Sequence, residues 1–134
     1  MSTSVYLNCP NITFNRIEDI TCEVSKPEKL DETTVFIVTE KDYSEEDIYK
    51  YAKVLIKAGC RDFKFCGKAK EDWHLIFDLQ DLSLCPDCED ISLTCNIEDI
   101  DSIADEIDIC WDNIRIYADE ELFVRIRDSI RRRL

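Results

Sequence analysis

Thr34-Val-Phe-Ile-Val-Thr39, then Ser44-Glu-Glu-Asp47, then an apolar periodicity closed by Gly59, is the stretch that decides the fold. The first string is a continuous β-branched run, the pattern of a strand covered on both faces. Ser44 with an acid three residues on reads as a capping-box start. After it Ile48, Tyr51, Ala52, Leu55 and Ile56 keep one helical face apolar, and Gly59 supplies a left-handed stop. A two-sided strand feeding an amphipathic helix is half of a βαβ unit. The question is whether the rest of the chain repeats it.

Toward the C-terminus it does. Asp62–Cys66 reads as a short strand ended by Gly67, and Trp73, Ile76, Phe77 and Gln80 give a helical face from about Ala69 to Leu79. Pro86 and the acids around it make a loop, and Ile91–Cys95 is a third strand of this series. Asn96, with Asp99 three residues on, is expected to cap a helix whose stripe is Ile100, Ile103, Ala104, Ile107 and Trp111. Ile114–Tyr117 is the next strand. Asp119 is read as the cap of a last helix through Leu122, Phe123, Ile126 and Ile130, whose terminal arginines suit the negative end of the helix dipole. Strand alternating with helix four times implies an α/β fold, a mostly parallel sheet with helices on its faces. Toward the N-terminus, Ile12–Phe14 and Ile20–Val24 alternate with period two, which predicts a strand pair or hairpin turning around Arg16–Asp19. The chain of 134 residues is expected to be one domain, residues 1–30 as the strand pair and 31–134 as the alternating core. Strand order does not follow from this pattern.

Charge is the second feature. Between Glu71 and Glu121 seventeen carboxylates face one base, Arg115, whereas the first seventy residues are nearly balanced and the end of the chain is arginine-rich. The net charge of -13 is therefore local. Strong negativity argues against nucleic acid or an anionic membrane as partner, since both need phosphate-neutralising bases. No run approaches the roughly eighteen apolar residues of a membrane span, and the first residues lack a signal-peptide pattern, so a soluble, cytoplasmic protein is expected. With no export signal, the eight cysteines read mainly as free thiols that pack as small hydrophobes.

Glu98, Asp101, Asp105, Asp108 and Asp112 recur every three or four residues on the helix expected from Asn96 to Asp112, which puts them on one face opposite the isoleucines. No lysine sits among them to offset the like-charge cost of about 0.2–0.5 kcal/mol per neighbour. Such a face either solvates the fold or docks a basic partner. Asp87, Glu89 and Asp90 would extend it, with Trp111 or Tyr117 as exposed aromatic anchors. Cys85-Pro-Asp-Cys88 resembles the redox pair of glutaredoxin-type proteins. It lies mid-chain before a strand, however, and its flanking acids disfavour a thiolate. Cys85 and Cys88 could join a structural zinc site only if two further ligands came together from elsewhere. His74 is the sole histidine, and Asp78 one turn on could hold its imidazole in one tautomer; Cys60, Cys66 or a serine would then have to be the nucleophile. Two glycines cannot build a phosphate loop, so no nucleotide cofactor is expected, and no other cofactor or metal is assigned.

Val35-Phe-Ile-Val-Thr39, Ala58-Gly-Cys-Arg61, Cys66-Gly67 and Trp73-His74 with Asp78, followed by Leu93-Thr-Cys-Asn96, resemble a small bacterial α/β domain family of unknown function. The resemblance spans about Thr34 to Trp111 and implies a bacterial setting and this fold, but no activity. In size, acidity and lack of a catalytic signature the chain also resembles immunity proteins of bacterial toxin systems. That resemblance implies an acidic protein-binding module, an immunity protein or antitoxin that neutralises a cationic toxin such as a nuclease. The alternative is a small metal- or thiol-dependent protein using Cys85, Cys88, His74 and Asp78. The oligomeric state stays open.

Overall fold

The structure is a computed structural model that describes residues 12–24, 32–84, 92–108 and 113–133. Strands β1 (Ile12–Arg16), β2 (Thr33–Val38), β3 (Asp62–Cys66), β4 (Leu93–Asn96) and β5 (Asn113–Ala118) form one sheet in the order β1-β5-β2-β3-β4. Every pairing is parallel. Helices α1 (Glu45–Lys57), α2 (Lys70–Leu84), α3 (Ile103–Asp108) and α4 (Phe123–Arg133) complete an α/β fold.

β2 is central, and all six of its residues are buried, which is what a β-branched run without alternation requires. Val35 and Ile37 face α1 and α2, together with Phe63, Phe65, Trp73 and Phe77. Phe36 and Val38 face the other layer, with Ile103 and Ile107 of α3 and Ile126 and Ile130 of α4. The fold is thus doubly wound: the chain leaves β2 for one face and β5 for the other. Ser44 caps α1 by accepting from the Asp47 amide, and Gly59 ends it at a φ of 101°. Among the described residues no helix is long and apolar enough to cross a membrane.

Three expectations need correction. The N-terminal hairpin does not form: Ile17–Val24 is a 3-10 helix, and β1 pairs in parallel with β5 instead. Ile17 and Ile20 are fully buried against the α1 layer, a spacing of three that suits three residues per turn. Asn96 caps nothing. It ends β4, and Asp99 caps a 3-10 turn, Ile100–Ser102, through its bond from the Ser102 amide at 2.9 Å. Among the described residues the acidic helix is α3, and Glu98 and Asp101 precede it. Tyr117 is fully buried and cannot be a surface anchor.

Candidate functional site at the carboxyl edge of the sheet

Parallel pairing gives the sheet a direction. Arg16 pairs with Ala118, Ala118 with Val38, and Val38 with Cys66, so these strands end level along one edge. β4 ends there too, with Asn96 opposite Phe65 and the Ile97 amide donating to the Phe65 carbonyl at 2.7 Å. In open α/β sheets ligands bind outside this edge, where neighbouring strands send their connections to opposite faces. Here that point lies between β2 and β5. A crevice of about 550 Å³ opens beside it, lined by Arg16, Glu18, Lys41, Glu120 and Glu121.

Asp119 ties the ends of β5 and β2 together. Although it precedes a helical turn, its carboxylate makes no cap bond to that turn. It is buried and reaches across to β2, accepting from Thr39 Oγ1 at 2.6 Å and from the Glu40 amide at 2.9 Å. The Thr39 hydroxyl oxygen in turn accepts from the Lys41 amide at 3.0 Å. One carboxylate thus fixes both rims of the switch point. Lys41 pairs with Glu121 at 3.7 Å, and Tyr43 donates to Glu18 at 2.9 Å. Burial, followed by that bond to Glu18, raises the Tyr43 pKa, so its phenol stays a donor. At β3, Gly67 has a φ of 120°, and a Cβ there would collide with the Thr39 carbonyl oxygen. The β2 and β3 loops can approach only because that position is glycine.

The edge is acidic. The residues that follow β1, β2, β4 and β5 bring Glu18, Asp19, Glu40, Asp42, Glu98, Asp99, Glu120 and Glu121 to it, against Arg16, Lys41, Lys68 and Lys70, with Arg16 paired to Asp19 at 3.5 Å. Lys70 is committed to the Ile97 and Glu98 carbonyls at 3.0 and 3.3 Å, and Lys68 lies 3.7 Å from Asp42. Of the residues expected to bind a partner, Glu98 is exposed on this edge. Asp101 is paired with Arg132 of α4 at 3.0 Å, Asp105 is exposed on α3, and Asp108 is the last residue of α3. Asp87, Glu89, Asp90, Trp111 and Asp112 lie outside the described residues, as do Cys85 and Cys88.

His74 and Asp78 do come together, with Nε2 to Oδ2 at 3.3 Å, but as part of a clamp between α2 and β4. Thr94 Oγ1 lies 2.8 Å from Nε2 and 2.9 Å from Asp78 Oδ1, while Asn96 Oδ1 lies 2.9 Å from Nδ1. The Thr94 hydroxyl has one proton to give, to Asp78 or to Nε2, so the direction of its bond to the ring follows the tautomer. Both ring nitrogens are engaged. Neither buried cysteine supplies a nucleophile: burial pushes the Cys60 thiol up to about 12 and the Cys66 thiol up to about 11. Cys60, Cys66 and Cys95 form no disulfide, and among the described residues no three metal-ligating side chains converge.

Sequence reading missed Asp119 as a bridge, and Thr94 and Asn96 as partners of His74. The available signals were periodicities: His74 and Asp78 share a helix face at i,i+4, and Thr94 and Asn96 share a strand face at i,i+2. No family model matches the chain, and no curated protein and no solved structure matches it.

Proposed function

We propose that this protein is a cytoplasmic acidic binding module, an immunity protein or antitoxin that captures a cognate cationic toxin such as a nuclease. The observation that carries the reading is the convergence of charge at the carboxyl edge, where eight carboxylates follow four strand ends and three of them, Glu18, Glu120 and Glu121, line the crevice. Like charges gathered at one edge destabilise the fold by self-repulsion and steer a partner of opposite sign. The crevice has room for a lysine or arginine side chain, and exposed Glu120 stands at its wall to pair with it, beside the Lys41–Glu121 pair. Charge complementarity sets the encounter rate, and a few desolvated contacts set the affinity. The engaged ring nitrogens of His74 and the suppressed thiols of Cys60 and Cys66 favour binding over chemistry.

The test is affinity capture from the native lysate with wild-type protein and with the Glu40→Lys, Glu98→Lys, Glu120→Lys variant, followed by salt elution. All three positions are exposed. One basic protein held by the wild type at about 0.15 M salt, where exposed charges are screened beyond roughly 8 Å, and lost by the variant is the expected result. Capture of the same protein in equal amount by both would remove the carboxyl edge from the account.

A further inference from the structure

The face of α2 turned away from the sheet is unlike that of a solvated helix. Trp73, Ile76 and Phe77 are buried beneath it, yet Leu75, Leu79 and Leu82 are 58%, 44% and 50% exposed. Spacings of four and three put these leucines on one stripe, where an exposed helix face is normally charged. Between Glu71 and Leu84 the helix has no lysine or arginine. Exposed Glu71 and Asp72 stand at the N-terminal end of the stripe, and half-exposed Asp78 lies along its flank. The stripe also meets the acidic edge, because Lys70 ties the start of α2 to the Ile97 and Glu98 carbonyls just after β4.

An apolar centre with an acidic rim is the anatomy of a docking surface, the centre supplying affinity and the rim orientation. Resting on the reading above that the partner is basic, we propose that this α2 stripe is its anchoring surface. The occupant is an amphipathic helix of the partner that lays leucine-type side chains on Leu75, Leu79 and Leu82. Its flanking lysines and arginines reach Glu71, Asp72 and Asp78. Charge chooses this occupant over a second copy, since a symmetric pairing would bring two chains of net charge -13 together.

The probes are a synthetic amphipathic Leu/Lys helical peptide and a matched peptide with serine for each leucine, titrated into isotopically labelled protein. The expected result is amide shifts along the exposed face of α2 with the Leu/Lys peptide, and binding about tenfold or more weaker with the Ser/Lys peptide. A Leu79→Ser, Leu82→Ser variant, checked for an unchanged melting temperature, is expected to lose the same factor. Mapping on the wild type needs no variant to fold. Equal binding of both peptides, with shifts confined to the strand ends, would overturn the stripe and leave the basic-partner reading intact. No binding of either peptide would sink both. A wild-type dimer in sedimentation that the leucine variant dissociates would assign the stripe to a second copy instead.

Discussion

Asp119 and Gly67 are the residues on which the carboxyl edge depends, one by making bonds and the other by leaving space. The Asp119 carboxylate joins the ends of β5 and β2, residues eighty positions apart in sequence. Gly67 lets β3 turn under the Thr39 carbonyl. Gly67→Ala must distort the backbone or displace that carbonyl, since its φ is also one that alanine avoids. Urea unfolding is expected to show a loss of roughly 2–4 kcal/mol, and an unchanged midpoint would contradict the packing described. The buried thiols give a pH dependence. Cys60 and Cys66 are held protonated to about 12 and about 11 against an ordinary value of 9.0, burial being the main cause. As pH rises past 9 the unfolded chain loses these protons first, so stability is full below that value and falls until the folded thiols ionise. A Cys60→Ala variant is expected to show a shallower decline between pH 9 and 11. Gly59 could be read in the sequence because its neighbours announce a helix end. The reason for Gly67 could not, because the atom that forbids a side chain belongs to another strand.

Elements followed local pattern wherever one pattern was satisfied alone. The run from Thr34 to Thr39 admits only a doubly covered strand, and α1 has cap, stripe and stop. The segment from Ile17 to Val24 satisfies two patterns: Ile20, Cys22 and Val24 alternate, whereas Ile17 and Ile20 repeat at three. Burial of both isoleucines against α1 decided for the 3-10 helix. For the next helix the sequence points to Asn96 as the cap, with Asp99 as the acid three residues on. Asn96 is taken by His74 across the α2–β4 clamp, which leaves Asp99 to cap. Asp99→Ala is therefore expected to cost about 1 kcal/mol, read by thermal or urea unfolding. A cost near zero there, with a full cap penalty at Asn96→Ala, would restore the longer helix. The clamp itself was half visible. His74 and Asp78 announce a pair, but nothing local says that β4 lies beside them.

For the whole molecule, the order β1-β5-β2-β3-β4 brings carboxylates of the balanced first seventy residues, Glu18 and Glu40 among them, to one edge with Glu98 and Glu120 of the acidic block. Carboxylates that follow different strands are far apart in sequence and converge only because all strands end at one edge. That is why the sequence showed an acidic block but placed its surface on a single helix. Strand order is set by pairings between remote segments, so neither the crevice nor its lining could be read beforehand. Arginine-rich α4 offsets part of the charge by pairing Arg132 with Asp101, and the edge around Glu98 and Glu120 keeps the excess. The central claim is that this edge binds a basic protein. Its most direct test is the affinity of the captured basic protein for wild type and for the Glu40→Lys, Glu98→Lys, Glu120→Lys variant, by calorimetry at two salt concentrations. The account predicts wild-type affinity that weakens with salt and falls by about a hundredfold or more on reversal, some 2.7 kcal/mol. An affinity within a factor of about two for both proteins, unmoved by salt, would contradict it.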